Sequence, residues 1–247
     1  MQRLRTFILL AGLFAATSAL IYLIHYAIFQ DTHHIFIYMI GDFAFLPLEV
    51  FLVVIVIERI LSYREKRAIR EKMNMVVGAF FSEIGDKLLR GLLGCFQGRD
   101  EIKQNLSVLP DWKHSDFQKA MRFASNLQYM PNCQELDLEE LRTLLLEKRQ
   151  FLVTLLESPN VLEHERFTDL LWATFHLSEE LEARASLDDL PESDLGHIAV
   201  DIERLFSSLI VEWVAYVEHL QSNYPYLFSL LTRIHPFQEH PSAVVST

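Results

Sequence analysis

The chain has 247 residues and a formal charge of −11, with 51% hydrophobic residues and only eight glycines. An acidic balance of this size argues against a nucleic-acid partner, because phosphate backbones repel it. So few glycines also leave little material for the tight loops that cradle nucleotide phosphates.

Charge is unevenly divided: residues 1–72 hold eight Lys/Arg against six Asp/Glu, while residues 73–247 hold 14 against 27. Two apolar runs, Thr6 to Phe29 and Ile35 to Ile57, each reach the roughly 20 residues that a helix needs to cross about 30 Å of hydrocarbon. Only Gln30, Asp31, Thr32, His33 and His34 separate them, so residues 1–58 are predicted to form a transmembrane hairpin in contact with the lipid bilayer. Arg3 and Arg5 precede the first run, and Arg59, Arg64, Lys66, Arg67, Arg70 and Lys72 follow the second. The connecting loop has no Lys or Arg, which predicts a multi-pass protein of the cytoplasmic (inner) membrane with both termini in the cytoplasm. A cleaved signal peptide ending near Thr17-Ser18-Ala19 is the rival reading. The apolar run continues through Leu20, Ile21, Leu23 and Ile24, which favours a full span.

Within the second run, Asp42 and Glu49 stand seven residues apart and share nearly one helical face, with Pro47 between them. An ionisable group near the centre of a membrane helix costs at least ~2.5 kcal/mol and usually faces a bundle interior or a water path. Tyr22 and His25, with Ser18, are the candidate hydrogen-bond partners on the first helix, and Pro47 is expected to kink the second close to Glu49. The preferred reading is that these carboxyls fix packing or subunit register between hairpins of a homo-oligomer. The alternative is a small ion-conducting or proton-coupled component that uses Asp42 and Glu49. Two spans alone enclose no pore and no filter motif is present.

Residues 59–72 are polar and free of Gly and Pro, which predicts a basic helical stalk able to meet anionic headgroups. From Met73 to Cys95 the pattern turns amphipathic, with Val77, Phe80, Phe81, Ile84, Leu88 and Leu92 opposite Glu83, Asp86, Lys87 and Arg90. This segment is expected to pack beneath a helical domain spanning residues 73–234. Further helices are predicted from Ser115, capped with Gln118, to Gln128, and from Asp137, paired with Glu140, to Glu157. Two longer helices, Val161 to Arg184 and Asp194 to Ser222, follow, and a last one runs from Pro225 to Ile234. Residues 235–247 are expected to fray.

Cys95 and Cys133 show no metal or redox spacing and are expected to be unpaired thiols. Trp112, Trp172 and Trp213 are read as packing anchors, with Trp172 toward the edge of its apolar face. Histidines recur near acids, but a di-iron bundle requires Glu-x-x-His on two helices, and here His176 precedes its acids. No metal and no cofactor are therefore expected, with His176, His197, Asp201 and His219 the residues nearest to a ligand set. On helical wheels His197, Asp201, Glu212 and His219 form a stripe away from the apolar face, which suits solvent or another protomer. No Gly-x-Ser-x-Gly elbow or His-Glu-x-x-His signature is present, so no enzymatic activity is expected.

The segments GDFAFLPLEVFLVVIVIERILSYREKR (Gly41 to Arg67), FTDLLWATFHLSEEL (Phe167 to Leu181) and YPYLFSLLTRIHPF (Tyr224 to Phe237) resemble those of an uncharacterised family of bacterial and archaeal proteins. The resemblance implies two membrane spans and a helical cytoplasmic region, and carries no activity or ligand. The fold expected is all-α: a two-helix transmembrane hairpin, a helical stalk and a cytoplasmic helical bundle. Its expected role is that of a scaffold or signal relay acting through contacts with a cytosolic protein.

Overall fold

A computed structural model describes residues 2–159 and 161–245, and among them the chain is all-α, with no strand and one isolated bridge between Phe96 and Pro131. The side chains of Arg3, Lys66, Arg67 and Arg70, named above as basic flanks, lie outside the described residues. Contacts divide the chain into two compact units, residues 1–66 and 67–247.

The first unit holds α1 (Gln2–Phe29) and the beginning of α2 (Thr32–Phe80). Between them Gln30 adopts a left-handed φ of 51°, and its N–H bonds to the Tyr26 carbonyl at 2.8 Å, closing the last turn of α1. The Asp31 carboxylate then accepts the His34 N–H at 3.1 Å and caps the new helix. His25 lies face to face with His34, ring centroids 6.0 Å apart, so the turn is stitched from both helices. Pro47 stands inside α2.

The second unit is built around α8 (Glu192–Asn223), which packs against α3 (Asp86–Leu93), α5 (His114–Ser125), α7 (Glu165–Glu182) and α9 (Pro225–Ile234). Helix α6 (Leu138–Leu156) covers α7, and the short α4 (Arg99–Leu106) covers α5. The six apolar residues predicted on one face from Val77 to Leu92 are all buried in this core. Between α2 and α3 the backbone widens over Phe81–Gly85, where the Asp86 N–H reaches back five residues to the Phe81 carbonyl. Phe80 then meets Phe167 edge to face at 5.4 Å and Phe81 stacks on Tyr216 at 5.3 Å.

Several boundaries differ from the expectation. Helix α5 begins at His114, because Asp116, and not the Ser115–Gln118 pair, accepts the Lys113 N–H at 3.0 Å. Helix α7 starts at Glu165, after a single 3₁₀ turn at Val161–Glu163, with His164 Nδ1 accepting the Phe167 N–H at 3.2 Å. Helix α4 has only Ile102 and Leu106 buried, too few apolar repeats to show as a period. The stretch expected to fray from residue 235 is anchored at its start. His235 and Phe237 are buried, and Phe237 meets Trp213 edge to face at 4.8 Å. Of the three tryptophans Trp213 is fully buried, whereas Trp172 is 59% exposed and is no packing anchor within the chain.

Candidate functional site

Antiparallel packing of α7 on α8 brings together two sequence-distant pairs. His176 and Glu180 lie one turn apart on α7, and His197 and Asp201 lie one turn apart on α8. Across the seam His176 is level with Asp201, with Nε2 to Oδ2 at 3.4 Å, and His197 is level with Glu180, with Nε2 to Oε2 at 3.6 Å. His197 Nε2 is also 3.6 Å from Asp201 Oδ2, and His176 Nε2 is 4.0 Å from Glu180 Oε1. The imidazoles are half exposed, whereas the Asp201 side chain is only 3% exposed.

Two arginines hold the carboxylates from outside. Arg204 donates to Asp201 Oδ1 at 2.7 Å, and Arg184 donates to Glu180 Oε2 at 2.9 Å. Arg184 also grips Asp194 with both arms, at 2.8 and 2.7 Å, which ties the loop after α7 to the start of α8. These hydrogen bonds hold the Glu180 and Asp194 carboxyls below their ordinary range, so both remain anionic. Lysine cannot reproduce the fork, so Arg184→Lys is expected to cost about 1–2 kcal/mol, read as a lower denaturation midpoint.

Asp201 and Glu212 were expected, with His197 and His219, to face solvent or another protomer. Both are buried instead, because α7 covers that stripe of α8: Arg166 stands 3.2 Å from Glu212, and His176 lies over Asp201. Burial pushes the Glu212 carboxyl up, opposed by Arg166 and His164. His219 is not part of the cluster. Its Nδ1 is 3.0 Å from the side-chain nitrogens of both Asn74 and Asn223. Glu180 was not singled out as a ligand candidate. Its signal is the order His-x-x-x-acid, which occurs at His176–Glu180 and again at His197–Asp201 on helices that prove to be neighbours.

A second polar cluster lies inside the core. Asp86 is largely buried and pushed up to about 6, by desolvation first, against the pull of Arg90 and the Trp213 indole. The indole N–H is near enough to favour the anion without reaching hydrogen-bond geometry. His235 is buried and pushed down to about 4, by desolvation and then by Arg90, whose guanidinium donates to the Ile234 carbonyl. The thiols of Cys95 and Cys133 are free and buried, and burial pushes them up to about 12 and about 11, which keeps them protonated.

In the first unit Asp42, Glu49 and Tyr22 are exposed, and His25 is half-buried against Phe29 and His34. Among the described residues no hydrogen bond or ion pair joins Asp42 or Glu49 to Tyr22, His25 or Ser18.

Two family models match the chain. One, described as MJ1433, N-terminal helical domain, covers residues 2–61; the other, described as Uncharacterized protein MJ1433, C-terminal helical domain, covers residues 69–233. A protein of Methanocaldococcus jannaschii, Uncharacterized protein MJ1433, is 43% identical over 220 residues, which is 89% of this chain and 88% of that protein. No solved structure matches.

Proposed function

The chain belongs to the MJ1433 family, with its N- and C-terminal helical domains, and from that premise we propose that it is an integral membrane protein whose second unit works through protein contacts. One observation carries the membrane reading. The apolar stretches Phe7–Phe29 and Thr32–Arg64, 23 and 33 residues long, have none of their most apolar residues buried within the chain. An apolar helix belonging to a soluble core is covered by its neighbours, whereas these two need lipid or other copies around them. At 1.5 Å per residue the shorter one already exceeds the roughly 30 Å of a hydrocarbon core.

The bias of Arg5, Arg59, Arg64 and Lys72 toward the outer ends of the hairpin supports a topology with both termini cytoplasmic. Among the described residues Asp42 and Glu49 have no hydrogen bond or ion pair, which supports a homo-oligomer in which neighbouring hairpins supply partners. Residues 67–247 then act as a scaffold or relay for a cytosolic protein, without catalysing a reaction. Flux through the oligomer remains the alternative role for the two carboxyls.

Membranes carrying the chain, washed with alkaline carbonate, test this reading. The full-length protein is expected to stay in the pellet, and protease added from the cytoplasmic side is expected to reach residues 67–247. Release into the supernatant would overturn it. Crosslinks between first units that rearrange in Glu49→Gln would support the oligomer, and monomers at every workable concentration in mild detergent would remove it.

A further inference from the structure

The geometry points to a site for a zinc-like divalent metal ion at the α7–α8 seam, held by His176, His197, Asp201 and Glu180. Asp201 carries the argument. Its side chain is 97% buried, Arg204 satisfies Oδ1, and among the described residues Oδ2 has no hydrogen-bond partner while two imidazole nitrogens stand around it. A buried carboxylate oxygen left bare is uncommon enough to call for an occupant.

The spacings suit an ion better than direct hydrogen bonds. At 3.4 and 3.6 Å, the two imidazole nitrogens are too far from Oδ2 for good hydrogen bonds. Ligands held tetrahedrally at 2.0–2.2 Å from zinc are themselves separated by roughly 3.4 Å. The donor atoms of His176, Glu180 and His197 all lie within 4.8 Å of one another, and Asp201 Oδ2 approaches the group at the two imidazoles. Asp201 and the two imidazoles therefore close with about an ångström of side-chain rotation, and Glu180 must turn further to share an ion with Asp201. Half-exposed imidazoles have room for that movement.

Both carboxylates accept from an arginine on one oxygen. Arg204 takes Asp201 Oδ1 and leaves Oδ2 toward both imidazoles, whereas Glu180 Oε2 faces His197 at 3.6 Å while also accepting from Arg184, and Oε1 stands 4.0 Å from His176. Partners of this kind orient a ligand before the ion arrives. Arg184 also keeps Glu180 deprotonated, as ligation requires. Two nitrogens and two oxygens suit Zn²⁺ or Fe²⁺, whereas Ca²⁺ and Mg²⁺ favour oxygen alone. The competing account is a metal-free ion-pair cluster, with protonated imidazoles facing the two carboxylates.

Untagged full-length protein in detergent, stripped with a chelator and titrated with Zn²⁺ alone, distinguishes the two. One ion per chain is expected, with His176→Ala and His197→Ala each weakening binding by at least the roughly 10–100-fold typical of losing an orienting partner. Both rings are half exposed, so these variants should keep their helicity, checked by circular dichroism. Zinc is also expected to raise the melting temperature of the parent but not of the double variant. Sub-stoichiometric binding by the parent, or equal affinity in a folded double variant, would overturn the site.

Discussion

Asp86→Asn is expected to make the helical unit more acid-sensitive than the parent, by about 3 kcal/mol between pH 7 and pH 4. In the folded chain the Asp86 carboxyl titrates near 6 instead of 3.8. Keeping it ionised above pH 6 therefore costs stability, and that cost is relieved as pH falls from 6 toward 3.8. His235 works in the opposite sense. Depressed to about 4 from 6.5, it is neutral in both states above 6.5, and stability is lost as pH falls from 6.5 to 4, where the unfolded chain binds the proton and the folded chain does not.

The two effects are of similar size and opposite sign, so they largely offset one another in the parent. Removing Asp86 exposes the loss at His235. The reverse substitution, His235→Asn, keeps an acceptor in the place of Nδ1, which receives the Phe237 N–H at 3.2 Å. That variant is expected to gain about 3 kcal/mol relative to the parent over the same interval. Denaturant titrations at pH 7, 5.5 and 4 check both. Trp112, Trp172 and Trp213 all lie in residues 67–247, so tryptophan fluorescence reports that unit alone. Parallel pH profiles for parent and both variants would contradict the assignment.

Two glycines near the start of the same unit are expected to respond to alanine with opposite signs. A Cβ at Gly85 would stand 2.5 Å from the Phe81 ring and 2.9 Å from the Phe80 ring. Neither ring can retreat easily, since both are fully buried and wedged against Tyr216 and Phe167. Gly85→Ala is therefore expected to cost about 1–3 kcal/mol, as overpacking does. At Gly91, inside α3, an added Cβ meets nothing within 4 Å. Gly91→Ala should gain roughly 0.5–1 kcal/mol by restricting the unfolded chain. Melting temperatures of the two variants should bracket that of the parent, and a shift of both in one direction would refute the steric account.

Wherever residue type and period act locally, the sequence was legible. Asp137 caps α6 by accepting the Glu140 N–H at 2.8 Å, and Pro225 opens α9, both as their positions predict. Trp213 falls at the centre of the buried face of α8, where the wheel puts it. Helix α4 was missed because two buried residues make no period, and the burial of Phe237 because an isolated aromatic after a helix carries no pattern.

The His–carboxylate cluster shows the same limit. Each half, His176 with Glu180 and His197 with Asp201, is visible in the chain as an acid one turn after a histidine. A helical wheel treats each helix alone and places Asp201 and Glu212 away from the apolar face, toward solvent or another protomer. Covering that stripe of α8 with α7 reverses the environment of both carboxylates.

By itself, then, the sequence determined the all-helical class, the two long apolar helices and the starts of α6 and α9. These follow from composition, caps and the 3.6-residue period, all of which act within a few residues. Only the tertiary structure decided which helix faces meet. It set His176 level with Asp201, and it gathered Asp86 and Arg90 of α3, Trp213 of α8 and His235 just after α9. The physical reason is that pairing between faces depends on packing across long stretches of chain, where burial can turn an ordinary surface charge into a group with a displaced pKa.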